Sequence, residues 1–492
     1  MRESANQNIC QNPLAKTFGE YYTKSAYKVI IYRFIFLFYN YANLQNGFHK
    51  LDSIESSTQL HDTKDKDMLA FCLCYIVLLT IPSVLVDWMQ MRHIRNFSKK
   101  PAVILPAKDY ATSAKYSIEN LRFSIINSLV DAVVFVCWVW FGLAIWQDFL
   151  VEESAFGFIV FVLGFVIINS LVHLPLDAYK QLVLDKKYGF SSVSVGIFLA
   201  DTIKSIMLIG VFGFVVLWIL LGVMEFAYWW LAGFGIVFCL VVLINAFYPT
   251  LIAPIFNTFT PLNDESLKTR IQDLMQKAGF CANGIFVMDA SRRDGRLNAY
   301  FDGLGSSKRV VLFDTLLDKV SSDGLLTILA HELGHFKHKD IVFNLLITGI
   351  ILFVLFFIAG NLPSAVFTDL GLAENHATTL VVLLLISPIL YFWAMPLIGY
   401  FSRRAEYRAD SYGASLTSAH CLKEALIRLV NENKTFPYAH PAYIFFHYTH
   451  PPLLKRLCAL DKLDKNRANG ASGANGVNGS NHAGVSQNVA TS

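Results

Sequence analysis

The most explicit chemistry in this chain is carried by His331-Glu332-Leu333-Gly334-His335, two histidines flanking a glutamate. On a helix His331 and His335 fall one turn apart on one face. Both imidazoles then reach a single ion, while Glu332 stands beside a water bound to it. A hydrolytic zinc site needs three protein ligands and leaves a fourth position to water, so one ligand is missing from this stretch. The same spacing arises by chance on an amphipathic helix with two surface histidines, and the surrounding elements decide between the two. Here the motif ends an apolar helical run (Leu325, Leu326, Ile328, Leu329), and a hydrophobic segment opens at Ile341.

The elements that must position these residues belong to a membrane protein. Of the 492 residues, 54% are hydrophobic and only 16% charged, against about 25% charged in soluble domains. A net charge of +4 with no basic tract interleaved with aromatics excludes nucleic acid as a partner. The eight cysteines include no C-x-x-C pair and read as buried free thiols with no disulfide framework, so metal chemistry falls to histidine and carboxylate. Seven apolar runs are about long enough to cross a bilayer as helices: Met68–Trp88, Ile125–Trp146, Phe156–His173, Ile206–Val223, Ala227–Phe247, Ile341–Ala359 and Thr378–Tyr400. Asp131 and His173 within two of them predict a face turned to protein or a wet cavity. Val29–Tyr41 is shorter and carries Arg33, which predicts an interfacial or core-packed helix rather than a spanning one.

The loops orient these spans. Trp88–Arg122 and Pro175–Ser205 are rich in Lys and Arg, whereas Gln147–Ala155 and Gly360–Ala377 carry no basic residue. By the positive-inside rule the basic loops, the stretch Pro249–Asp340 and everything beyond Phe401 are cytoplasmic. In the soluble stretch, Glu265–Gly279 predicts an amphipathic helix. Ile285–Met288, Asn298–Phe301 and Val310–Phe313 predict strands, and Leu325–Lys339 predicts the helix bearing the histidines.

This topology leads to the missing ligand. The spans Ile341–Ala359 and Thr378–Tyr400 form a hairpin that returns the chain to the side where His331 and His335 lie. The first residues beyond it are Ser402-Arg403-Arg404-Ala405-Glu406-Tyr407-Arg408-Ala409-Asp410. Glu406 is placed to complete the metal shell, and Asp410, one turn on, to accept the free imidazole N–H of a ligand histidine. The competing role for both carboxylates is pairing with Arg403, Arg404 or Arg408 at the membrane boundary. His338, one turn beyond His335, reads as a solvated boundary residue without a metal role.

Taken together, H-E-L-G-H, the returning hairpin and S-R-R-A-E-Y-R-A-D resemble the type I CAAX prenyl proteases, a family of integral-membrane zinc metalloproteases. Lys187-Tyr188-Gly189-Phe190, Asn298-Ala299-Tyr300-Phe301, Lys308–Asp314 and His450-Pro451-Pro452-Leu453 add to the resemblance, which covers roughly Met68 to Lys462. It implies a mainly α polytopic fold: seven transmembrane helices forming a helical barrel around a large chamber, with a zincin-like domain holding a small β-sheet at its cytoplasmic end. It also implies one zinc ion per chain on His331, His335 and Glu406. Glu332 is then the general base, and His450 a donor to the developing oxyanion; the alternative for His450 is a helix-start residue. Asn298, Ala299 and Tyr300 become a strand edge for an extended substrate, against an ordinary internal strand. Short outer loops and the wording of Arg292–Leu297 place the chain nearer the bacterial branch, and so a bacterial inner membrane ahead of the endoplasmic reticulum.

The expected organisation is an N-terminal extension 1–67, five spans over 68–248, a metalloprotease part 249–340, the hairpin 341–401, the rest of the protease part 402–465, and a disordered tail 466–492. The expected partners are the lipid bilayer and a peptide or protein substrate, prenylated or otherwise membrane-associated. Two other functions compete: a quality-control protease without prenyl specificity, and a transporter that merely binds metal.

Overall fold

In hydrocarbon each backbone N–H and C=O must be satisfied within its own segment, so a long apolar run folds as a helix. The computed structural model describes residues 57–148, 154–302 and 308–477. The run Val29–Tyr41 lies outside them, and of the N-terminal unit, residues 1–67, only the start of the helix Ser57–Tyr75 is described. Among the described residues seven helices are long and apolar enough to cross a membrane. Five come first: α1 (Lys66–Phe97), α2 (Ala107–Asp148), α3 (Ala155–Lys187), α4 (Val195–Met224) and α5 (Trp229–Phe256). Their outward faces carry apolar side chains such as Val211, Phe212, Val215 and Trp218, a surface suited to lipid rather than water.

Next comes the soluble insertion. Strand β1 (Phe259–Pro261) precedes helix α6 (Glu265–Lys277), then β2 (Ile285–Met288), β3 (Ala299–Asp302) and β4 (Arg309–Phe313). Asp264 caps α6 by accepting the Leu267 N–H at 2.9 Å, and the helix buries Leu267, Ile271, Leu274 and Met275, the expected face. The sheet order is β1-β2-β4-β3, with β2 and β4 parallel and the outer pairs antiparallel. The three expected strands form, and β1 is an addition that three residues with no apolar alternation did not announce. Among the described residues β3 pairs with β4 alone and lies at an edge of the sheet. Helix α7 (Ser322–Lys337), capped by Ser321, carries the histidine motif and packs on this sheet through Leu325, Leu329 and Leu333.

Two further membrane helices follow, α8 (Asp340–Ala359) and α9 (His376–Leu416). Helix α9 does not stop where the apolar run ends: it continues through residues 402–410 as one 41-residue helix and lays them across α7. The two helices nearly touch. A Cβ added at Gly334 would lie 2.7 Å from Ala409 Cα, and one at Gly413 would lie 3.0 Å from His331 Cα. Helices α10 (Ala419–Glu432), α11 (Pro441–His447) and α12 (Leu453–Val477) complete the fold. Helix α12 runs into the stretch 466–492 expected to be disordered. A helix already nucleated by the buried face Leu453 and Leu460 propagates at little further cost.

The two ends of the bundle are distinct. At one end the basic loops meet the insertion: Arg293 is bidentate on Asp201 at 2.8 and 3.0 Å, and Arg296 donates to the Tyr116 hydroxyl at 2.9 Å. At the other, Ala373 N–H donates to Gln147 at 2.9 Å, and His376 lies 3.3 Å from Glu225. Helices α1, α2, α3, α9 and α11 line an open cavity of about 740 Å³ whose walls include Thr80, Asp131, Trp138, Asn169, His173 and Phe392. Asp131 and His173, 3.4 Å apart, thus face a cavity rather than lipid. Among the described cysteines six carry free thiols, of which Cys72 is buried, whereas Cys458 is disulfide-bonded, against the expectation of free thiols throughout.

The helix crossing yields a test in which two effects oppose. Helix propensity alone favours Ala over Gly by about 1 kcal/mol, whereas overpacking a tight contact costs about 1–3 kcal/mol. Gly334→Ala is expected to lower the melting temperature in detergent, while Gly210→Ala, which meets nothing within 4 Å, is expected to hold or raise it. Equal melting temperatures for the two variants would refute the tight crossing.

Candidate active site

The crossing of α7 and α9 brings three donor atoms together. His331 Nε2 lies 3.6 Å from Glu406 Oε2, and His335 Nε2 lies 3.3 Å from Glu406 Oε1. One ligand atom from each of the three residues falls within 4.8 Å of the others. Two imidazoles and a carboxylate suit a divalent ion of borderline softness, and the set leaves room for a water. Glu406 is 2% exposed, and its Oε2 has no aligned hydrogen-bond donor. Arg456 meets that oxygen at 3.1 Å, so the fit to a metal rests on the donor set, two imidazole nitrogens and a carboxylate oxygen that converge within 4.8 Å.

Each ring nitrogen turned away from the cluster meets a carboxylate. His331 Nδ1 is 3.0 Å from Asp410 Oδ1, an ion-pair contact lying off the hydrogen-bond line. His335 Nδ1 is 2.9 Å from Asp340 Oδ2. Asp410 thus lies beside the His331 ring without accepting its N–H in line. The arginines weighed as rivals for these carboxylates go elsewhere: Arg403 Nη1 donates to the Ile444 carbonyl at 3.1 Å, Arg404 lies over the Tyr400 ring, and Arg408 pairs with Asp340.

The cation that does pair with them is Arg456 on α12. It is buried, forks onto both oxygens of Asp410 at 2.8 and 2.6 Å, and lies 3.1 Å from Glu406 Oε2. Burial acts against its charge, but Asp410 and then Glu406 outweigh burial and raise its pKa further. Sequence reasoning passed over Arg456. The one available signal was a charge three residues after Leu453, on the face of α12 that buries Leu453 and Leu460.

His450, in the loop before α12, places its Nδ1 2.7 Å from Glu406 Oε1 and keeps an exposed side chain. Burial pushes the Glu332 carboxyl above its usual range; His331 and His335 oppose that push and Glu406 adds to it. Burial would lower His335, yet hydrogen bonds and charge from Glu406 and Asp340 carry it up to about 9. Strand β3 lies against α7, so Ala299 and Tyr300 sit on a sheet edge beside the cluster. Asn298, just before it, accepts the Phe313 N–H on its carbonyl at 3.2 Å. Asn433 accepts the Leu297 N–H at 3.0 Å and steadies the lead into that strand. His338 is exposed, its ring 6.2 Å from that of Tyr412, outside the cluster.

A helix-borne His-x-x-x-His pair completed by a carboxylate from a second helix, under a bundle of membrane helices, defines a membrane-embedded metallopeptidase. The comparisons agree. Residues 90–258 match the model for the CAAX prenyl protease N-terminal region with five membrane helices, and residues 261–464 match peptidase family M48. A CAAX prenyl protease 1 from Saccharomyces cerevisiae is 34% identical over 60% of this chain and 70% of its own length. A homologue from Taenia solium is 28% identical over 79% of this chain and 94% of its own length. The crystal structure of S. mikatae Ste24p superposes with a TM-score of 0.74 at 28% identity, covering 80% of this chain and 99% of that one. The chain belongs to the CAAX prenyl protease 1 family of M48 peptidases. It is a multi-pass membrane enzyme that hydrolyses peptide bonds with a metal.

Removing one member of a buried ion pair strands the others, at a cost of about 3–5 kcal/mol. Arg456→Met should therefore unfold at markedly lower temperature than the parent. Arg456→Lys should recover little of that loss, because an ammonium cannot fork onto Asp410. Parental stability in Arg456→Met would remove the arginine from the site.

Proposed function

We propose that the protein is a zinc endopeptidase with one ion per chain, held by His331, His335 and Glu406. The convergence of these three residues, with Glu332 beside them, is the observation that carries the reading. When bound, zinc polarises the scissile carbonyl and lowers the pKa of a water. Glu332 would take a proton from the attacking water and hand it to the leaving amine, a role suited by a carboxyl whose pKa burial has raised. Asp410 holds the His331 ring in place. His450, exposed and beside Glu406, donates to the oxyanion as it forms. Asn298, Ala299 and Tyr300 pair with the backbone of an extended substrate, and the edge position of β3 supports this role.

The substrate class follows from the relatives, which are named CAAX prenyl proteases. A C-a-a-X terminus is prenylated on its cysteine, and the proposed reaction removes residues beyond that cysteine. A cavity at the depth of the membrane helices supports a lipid-modified substrate. It meets, at His447, a second cavity of about 410 Å³ that reaches His450 and Arg456. We place the active site on the cytoplasmic side, because the basic loops pack against the insertion. The relatives quoted are eukaryotic, which favours the endoplasmic reticulum over the bacterial inner membrane that short outer loops suggested.

Glu332→Gln is expected to retain zinc and to lose cleavage by roughly a hundred-fold or more. Elemental analysis and a peptide assay on the same preparation check both halves, and full activity in that variant would sink the assignment. Chelation should abolish cleavage, and added zinc should restore it. A farnesylated peptide is expected to be cleaved faster than its unmodified twin. Equal rates would favour the quality-control reading.

A further inference from the structure

Helix α7 ends at Lys337 and α8 begins at Asp340. Lys339 between them has φ +57°, a left-handed conformation that interrupts the helix. The break has a consequence for the site. Along an unbroken helix residue 340 would lie about 140° around the axis from residue 335, out of reach of its side chain. The break at Lys339 instead turns Asp340 back, and its Oδ2 meets His335 Nδ1 at 2.9 Å. Its other oxygen accepts from Arg408 Nη2 at 2.7 Å. Asp340 is 6% exposed, so its charge is shielded from water and shared between an imidazole and a guanidinium.

The arrangement repeats, with other residues, the one around His331. There a carboxylate (Asp410) faces Nδ1 and an arginine (Arg456) backs it. Here Asp340 and Arg408 stand in those places around His335. A ligand imidazole whose far N–H meets a carboxylate has its tautomer and ring angle settled before the ion arrives. From this geometry we infer that Asp340 is the positioning residue for His335, presenting Nε2 to the metal. It does so from the first residue of a membrane helix and is held there by Arg408 on the returning one. It rests on reading His331, His335 and Glu406 as the metal site.

The test is metal affinity of the full-length protein in detergent, stripped with chelator and titrated with Co²⁺ against a competing ligand. Asp340→Asn, which keeps the shape and loses the charge, is expected to bind the ion about 10–100-fold more weakly. Asp340→Ser, which suits a helix start but cannot reach His335, is expected to bind at least as weakly. If only one of the two folds, that one decides. Arg408→Gln leaves the carboxylate on His335 but removes the guanidinium that holds it, and is expected to weaken binding by less than either Asp340 variant. The metal-free melting temperature is recorded for each variant. Two results would overturn the role of Asp340: affinity within about two-fold of the parent in the Asp340 variants, or an equal loss in Arg408→Gln that tracks its melting temperature. Failure of the parent to bind Co²⁺, or undiminished binding in His335→Ala, would instead overturn the metal site itself.

Discussion

The close crossing of α7 and α9 is the constraint on which the rest depends. Two of the proposed ligands lie on one helix and the third on another, and their donor atoms converge within 4.8 Å. Side chains this short converge only if the backbones nearly touch. Gly334 and Gly413 make that possible, each at a point where a methyl group would meet the other helix's backbone. Gly334 is thus a spacer inside the histidine motif, and Gly413 is its counterpart across the crossing. Helix α9 is also a membrane helix, so the site is built directly onto the bundle.

Placing carboxylates at such a crossing would be prohibitive without compensation, because the desolvation of each costs several kcal/mol. The structure meets this with a closed arrangement: Arg456 serves Asp410 and Glu406 together, and Arg408 serves Asp340. Each proposed ligand histidine is consequently flanked on its far side by a negative charge that is itself neutralised. The rings are oriented without leaving an isolated buried ion. These fixed dipoles also set the local field in which Glu332 works.

The bundle and the insertion are joined at the same end. Arg293 on Asp201 and Arg296 on Tyr116 tie the lead into β3 to α4 and α2, so this strand is held against the membrane helices rather than floating on a linker. Edge strands are usually blunted against pairing, and β3 is short at four residues. That length permits a brief backbone match without offering a template for aggregation.

Much of this was legible in the residues alone, for reasons of period and composition. The seven spans follow from apolar length, because hydrocarbon admits no other backbone solution. The motif helix, α6 and three of the four strands follow from periodicity, and the candidacy of Glu406 and Asp410 follows from a hairpin that had to return to its starting side. Strand β1 was missed because three residues carry no period. What the tertiary structure alone decided was pairing. Four arginines were available to the buried carboxylates. Only the packing of α12 against α9 selects Arg456, and only the left-handed turn at Lys339 brings Asp340 to His335. Periodicity reports which face of an element is apolar, but ion pairing depends on distances between elements far apart in the chain, and those exist only once the helices have crossed.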